Sequence, residues 1–158
     1  MNGREGHQLS EHKASLSWNR DTDDFKYPTY TRDHTWSFEG GQVVSASAAP
    51  EFLGNADRVD PEESFVASIS ACHMLTFLTV AAKRRFVVDS YSDEAVGYLE
   101  KNAAGKLAIT RVELRPRIAF SGDPIPTPEQ MDSMHHLSHE QCFIANSVNT
   151  EIVVLSLE

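Results

Sequence analysis

Alternating apolar and polar residues predict three short strands in the first third of the chain. The candidate strands are 14–18 (ASLSW), 34–38 (HTWSF) and 42–48 (QVVSASA). Residues 19–31 contain the Asp, Asn and Pro that are typical of a long loop, whereas Gly40-Gly41 predicts a tight turn between the second and third strands. Residues 1–12 are polar and show no periodicity, which predicts a flexible N-terminal arm.

The longest apolar segment predicts a helix over 65–82. It follows Asp60-Pro61-Glu62-Glu63, where Asp can cap the helix, Pro fits its first position and Glu can complete a capping box. Apolar residues cover nearly every side of this helix, and Lys83-Arg84-Arg85 close its C-terminus with the charge that the helix dipole favours. A helix that is apolar all round is expected at the centre of a protein.

The second half of the chain predicts a hairpin, a second helix and a final strand. The hairpin strands are 87–101 and 106–120, the helix runs from Pro128 to about Gln141 with Thr127 as N-cap and with Met131, Met134 and Leu137 inward, and the last strand is 150–157. The order βββ-α-ββ-α-β indicates an α+β fold, with antiparallel sheet and two central helices. We expect one domain over 13–158.

Composition and charge exclude several classes of partner. Fourteen Lys and Arg against 23 Asp and Glu give a net charge of −9, which disfavours nucleic acid and anionic membrane as partners. The longest apolar run, 77–82, is far shorter than the roughly 20 residues of a bilayer span, and the N-terminus has no apolar signal-peptide region. The sequence therefore predicts a soluble, cytoplasmic protein.

The two cysteines, Cys72 and Cys142, are the strongest candidates for chemistry. Two are too few for a disulfide scaffold, so they are either inert buried thiols or a redox pair that meets in space. Because burial in apolar surroundings raises the pKa of a thiol, a reactive Cys72 needs a nearby cation. Arg32 is the best candidate for this cation, since it precedes a strand; the alternative is a solvated Arg.

The spacing of these residues resembles that of the OsmC/Ohr family of thiol peroxidases. Cys72 lies ten residues after Glu62 in a Pro-Glu-Glu helix start, and Cys142 follows 70 residues later, after His-Glu-x. The resemblance covers about 13–158. It implies the OsmC-like fold, in which antiparallel sheets wrap around two central helices in an intertwined homodimer.

The resemblance also implies roles for four residues. Cys72 matches the peroxidatic cysteine, Cys142 the resolving cysteine, Glu62 the active-site carboxylate and Arg32 the Arg that stabilises the thiolate. The loop before Arg32 is longer than the family's short turn, so Arg20 is an alternative. The implied activity is reduction of organic hydroperoxides as part of an oxidative stress response, with an external dithiol as reductant and no cofactor.

Two positions depart from the family pattern, because His73 stands where many members have Phe and Phe143 where many have Pro. These departures indicate an OsmC-like subgroup whose substrate can differ from that of the founding peroxidases.

Helix geometry adds a constraint on Glu62. Ten helical residues separate it from Cys72 by about 15 Å along the axis. We therefore expect Glu62 to act on Cys72 of a partner subunit, in a homodimer with two equivalent sites. The apolar neighbours predicted to line the site and to favour organic hydroperoxides are Phe65, Ile69, Leu75 and Phe77.

Two other classes of function remain open. His135, His139 and Cys142 fall at i, i+4 and i+7 on one helix face, and Cys72-His73 could approach them in a zinc site, although no CxxC or HExxH pair is present. In the alternative that we favour over metal, the histidines line the helix packing or the rim of the site. The other class is a non-catalytic protein that binds a small molecule on the same fold.

Overall fold

The computed structural model describes residues 10–155, and the chain divides into two compact units, Met1–Pro61 and Glu62–Glu158. Residues 1–9 of the predicted arm lie outside the described residues, and 10–12 have no regular structure. The extent of the predicted single domain, 13–158, stays a prediction.

The N-terminal unit contains the three predicted strands as an antiparallel meander. They are β1 (Ala14–Ser17), β2 (His34–Phe38) and β3 (Val43–Ala46). Trp36 at the centre of β2 pairs with Leu16 on one side and with Val44 on the other. Gly41 has φ +82° in the turn before β3, a conformation that glycine adopts without strain. A short 3-10 turn, Pro50–Phe52, follows.

The C-terminal unit contains both predicted helices. Helix α1 spans Pro61–Lys83 and begins directly after Asp60, as predicted. Helix α2 spans Pro128–Gln141, and its capping box is complete: the Thr127 hydroxyl accepts the Gln130 backbone N–H, and the Gln130 side chain accepts the Thr127 N–H. The structure confirms both predicted helix starts. They could be predicted because they depend on neighbouring residues.

The predicted hairpin of two long strands is wrong, because each strand is divided into two. The resulting strands are β4 (Val87–Asp93), β5 (Val96–Lys101), β6 (Leu107–Leu114) and β7 (Pro116–Ser121). Strand β5 pairs with β6 around the predicted turn, whereas β4 pairs with β7 in a separate two-stranded sheet.

Asp93 explains where the strands divide. Its carboxylate accepts the backbone N–H of Arg115 at 2.6 Å and the hydroxyl of Ser70 at 2.5 Å. The Arg115 N–H is thereby used by a side chain between β6 and β7, and Pro116 has no N–H to offer to a sheet. The sequence alone did not indicate this contact.

The final strand, β8 (Glu151–Val154), also differs from the expectation of purely antiparallel sheet. It pairs with β6 in parallel, with Val112 opposite Ile152. The α+β class and the sheets with two helices are otherwise as predicted.

Helix α1 supplies residues to two hydrophobic clusters of the C-terminal unit. Phe77 packs with Met134 and Phe86 in the first cluster, and Ile69 packs with Val112 and Leu114 in the second. The opposite face of α1 is exposed, and Leu75 there is 60% exposed. In a single chain, the expectation of a fully central helix therefore holds for one face only.

Among the described residues, α1 is the one helix long and apolar enough to cross a membrane by length and composition. The core helix of a soluble protein passes the same test, and α1 carries much of the core of the C-terminal unit.

Candidate functional site

The structure brings Cys72 and Cys142 together, as the redox hypothesis requires. Cys72 lies in the middle of α1 and is partly exposed, whereas Cys142 is 1% exposed at the C-cap of α2. Both thiols are free, and the Cys72 side chain is close enough to Cys142 to raise the pKa of the Cys142 thiol. One thiol is thus partly exposed and the other is buried.

Burial raises the pKa of the Cys142 thiol to about 11, and the neighbouring Cys72 adds to the effect. A thiol with this pKa is protonated at neutral pH, and only a thiolate is a good nucleophile. The environment therefore favours Cys72 rather than Cys142 as the first thiol to react.

A local turn fixes the position of Cys142. Helix α2 ends because Cys142 adopts an extended conformation, and a short 3-10 turn, Ala145–Ser147, follows. The turn directs the Ala145 backbone N–H to the Cys142 sulfur at 3.4 Å, and the Asn146 N–H bonds to the Cys142 carbonyl at 3.0 Å. The position of the sulfur is consequently fixed by the backbone that follows it.

A buried pair of histidines lies beside the cysteines. The Nε2 of His73 and the Nδ1 of His135 are 3.0 Å apart, and the two rings meet edge to edge, with centroids 5.3 Å apart and planes 8° from parallel. Their side chains are almost fully buried, and Phe77 packs against the His135 ring at 4.6 Å. The histidines line the helix packing, as the favoured alternative to a metal site proposed.

Both histidines are kept neutral. Burial lowers the pKa of His73 to about 4, with smaller contributions from His135 and His139. Burial also lowers the pKa of His135, although the carboxylates of Asp132 and Asp93 oppose the shift. One neutral imidazole can therefore donate its N–H to the bare nitrogen of the other.

Glu62 lies in the first turn of α1, on the same uninterrupted helix as Cys72. The axial distance of about 15 Å expected from the sequence thus applies, and the two side chains cannot meet within one chain. Nothing in the single chain tests the role of Glu62, which stays a prediction.

The two candidate arginines both bind backbone carbonyls of the N-terminal loop. Arg32 donates to the carbonyls of Tyr30 and Tyr27, each at 2.5 Å, and its guanidinium lies 3.7 Å from the centre of the Tyr30 ring. Arg20 donates to the carbonyls of Thr22 and Asp23. The assignment of Arg32, or of Arg20 in its place, as the partner of a thiolate stays a prediction.

Arg32 also borders an apolar pocket of the N-terminal unit. The pocket has a volume of about 440 Å³, and the rings of Trp18, Phe25 and Tyr30 form much of its wall. The sequence did not indicate this pocket, because Phe25 and Tyr30 come from the long loop 19–31, whose contacts depend on the folded structure.

The four residues predicted to line one apolar site do not lie together in the single chain. Ile69 and Phe77 are fully buried in separate clusters, and Phe65 packs against the cluster of Ile69. Leu75 is exposed. Their joint role in substrate preference stays a prediction.

The metal alternative gains no support from the geometry. Within residues 10–155, no group of three His, Cys, Asp or Glu side chains is arranged to hold a metal ion. His135 is hydrogen-bonded to His73. His139 is exposed and lines a surface pocket of about 250 Å³ together with His135, His136 and Asp132.

Comparison with known proteins identifies the family. The family model described as OsmC-like protein matches residues 54–156. A solved OsmC-like protein of unknown function from Vibrio cholerae is 51% identical, with a TM-score of 0.91 over 94% of this chain and 100% of that one. The chain therefore belongs to the OsmC-like family, and the predicted OsmC-like fold of the chain is confirmed. The homodimer stays a prediction.

More distant structures share the fold. An organic hydroperoxide resistance protein from Elizabethkingia anophelis is 19% identical, with a TM-score of 0.72 over 95% of this chain and 97% of that one. The organic hydroperoxide resistance protein OhrB of Bacillus subtilis is 16% identical, with a TM-score of 0.65 over 94% of this chain and 99% of that one. No curated protein matches the sequence significantly.

Proposed function

We propose that this protein is a cysteine-based peroxidase that reduces organic hydroperoxides through Cys72 and Cys142. The observation that carries the proposal is the contact between a partly exposed thiol and a buried one whose pKa is raised. Membership of the OsmC-like family supports a redox or peroxide-resistance role more generally. The distant structures named for organic hydroperoxide resistance add support through their fold.

The proposed reaction has three balanced steps. The Cys72 thiolate attacks the peroxide O–O bond, takes one oxygen as sulfenic acid, and releases the other as the alcohol once a proton is supplied. The Cys142 thiol then condenses with the sulfenic acid, which forms a disulfide and releases water. An external dithiol reduces the disulfide and is itself oxidised.

In this proposal Arg32 supplies the cation that favours the Cys72 thiolate, with Arg20 as its alternative. Glu62 hydrogen-bonds to the guanidinium and fixes its plane, because a carboxylate placed directly beside a thiolate would repel it. The separation of Glu62 from Cys72 along α1 then requires the carboxylate of a second chain.

A homodimer is thus part of the proposal. Exposed apolar side chains in each unit support it. Leu16 and Phe25, which are 68% and 66% exposed, line one apolar pocket of the N-terminal unit, and Leu75 on α1 is 60% exposed. Large exposed apolar patches are typical of an interface. The net charge of −9 agrees with a protein that does not bind nucleic acid or anionic membrane, and we propose that it acts in the cytoplasm.

Thiol titration tests the function directly. The protein is reduced, freed of reductant and treated with one equivalent of cumene hydroperoxide, and its free thiols are counted in denaturant. The peroxidase cycle predicts the loss of both thiols in wild type. A protein that keeps both thiols is a non-catalytic binder, which is the second candidate function, and the proposal is then wrong.

A further inference from the structure

The histidine pair joins the two helices that carry the cysteines. His73 follows Cys72 on α1, and His135 lies seven residues, about two helical turns, before Cys142 on α2. The contact between α1 and the end of α2 therefore has two parts, the thiols and the imidazoles. Two separated contacts restrain the angle between the elements as well as their distance.

The geometry of the pair suits it to this restraint. A hydrogen bond of 3.0 Å fixes the separation of the rings, and the planes lie 8° from parallel, as an N–H···N bond in the plane of both rings requires. Phe77, which also lies on α1, packs against the His135 ring. Because buried nitrogen atoms without a partner are costly, the pair disfavours any displacement that would separate α1 from α2.

Disulfide formation is sensitive to such a displacement. A disulfide requires Cβ atoms about 3.5–4.5 Å apart and a narrow range of dihedral angles. A shift of about 1 Å at a reacting pair can reduce a rate a hundredfold. The residues that hold the two helices in register are thus expected to affect closure of the disulfide.

We propose that His73 and His135 are positioning residues that hold Cys142 in reach of Cys72 for disulfide formation. The inference deepens the proposed two-cysteine function and rests on it for its biological meaning. The step that it concerns is the condensation of Cys72 sulfenic acid with the Cys142 thiol to give the disulfide and water. The histidines gain and lose no electrons in this step.

An equilibrium with glutathione measures the positioning without any peroxide. Oxidised glutathione converts the two thiols to the intramolecular disulfide and is itself reduced to two glutathione thiols. The fraction of disulfide in buffers of known composition gives the effective concentration of Cys142 at Cys72. The variants are His73→Phe, which keeps the ring shape without its nitrogens, and His73→Gln, whose amide can occupy the place of Nε2.

We expect His73→Phe to lower the effective concentration at least about tenfold. We expect His73→Gln to restore it to within about threefold of wild type. His136→Asn is the matched control, because this neighbouring His on α2 is exposed and pairs with the surface residue Glu140 at 3.3 Å. The control should match wild type.

Equal values for wild type and His73→Phe would overturn the inference, and so would equal losses in His73→Phe and His73→Gln. Should His73→Phe fail to fold, His135→Leu and His135→Asn form the same comparison on α2, with the same expected order.

Different results contradict the proposed peroxidase function and the positioning role of the histidines. A wild-type protein that closes its disulfide with glutathione but consumes no cumene hydroperoxide contradicts the peroxidase and leaves the positioning role supported by the variants. A peroxidase whose disulfide is unaffected by either histidine contradicts the positioning role alone. A wild type that forms no intramolecular disulfide contradicts both.

Discussion

Replacing His73 by Phe should make the free energy of unfolding less dependent on pH between pH 7 and pH 5. The pKa of His73 is lowered by burial to about 4 in the folded protein, against an ordinary value of 6.5. Between these values the unfolded chain binds a proton that the folded chain excludes. The free energy of unfolding therefore decreases as the pH falls through this window, and His73 has no such effect above about pH 7.

The magnitude follows from the two pKa values. At pH 5 the unfolded His73 is almost fully protonated and the folded one almost fully neutral, which costs the folded state about 2 kcal/mol. His135 lies on α2 with its own lowered pKa, so part of the pH dependence survives the substitution. The charged groups around the pair, Asp132 and His139 on α2 and Asp93 on β4, are the same in both proteins.

Urea unfolding at pH 7 and pH 5 measures the effect, at one protein concentration so that assembly is held constant. The fall in unfolding free energy between the two pH values should be about 2 kcal/mol smaller for His73→Phe than for wild type. His136→Asn should retain the wild-type fall, because its ring is exposed. The same fall in wild type and His73→Phe would refute the assignment of His73 as a buried neutral group.

Three further predictions concern the proposed reaction. Cumene hydroperoxide should react at least about tenfold faster than hydrogen peroxide, because apolar contacts favour the larger substrate; similar second-order rate constants would contradict an apolar site. Arg32→Ala should move the alkylation of Cys72 to higher pH by more than about one unit, whereas an unchanged profile transfers the role to Arg20 or another cation. Mixed dimers of Cys72→Ser and Glu62→Ala chains should regain peroxidase activity, and mixtures no more active than either variant alone would show that the site is not shared.

The elements set by neighbouring residues could be predicted from sequence. Helix α2 begins where Thr127, Pro128 and Gln130 predict it, because a capping box involves only residues within one turn. Strands β1 to β3 alternate in polarity, and a recognisable Gly turn joins β2 to β3. Local hydrogen bonds and periodicity are sufficient for such elements.

Features that depend on distant residues could not be predicted. The division between β6 and β7 depends on the Asp93 carboxylate, which reaches the Arg115 backbone across 22 residues. The pairing of His73 with His135 joins residues 62 positions apart, and spacing alone left a metal site and helix packing as alternatives. For Cys72 and Cys142, family resemblance supplied the expectation, and only the structure shows that the thiols meet.

A single-turnover experiment with the cysteine variants distinguishes the attacking thiol from the resolving one. Each protein, reduced and freed of reductant, receives one equivalent of cumene hydroperoxide per chain in the presence of dimedone, and the hydroperoxide consumed is measured together with trapping of sulfenic acid. We expect no consumption by Cys72→Ser, and consumption of the one equivalent by Cys142→Ser with the sulfenic acid trapped on Cys72. Equal loss of the first turnover in both variants would contradict the assignment of Cys72 as the attacking thiol and Cys142 as the resolving one.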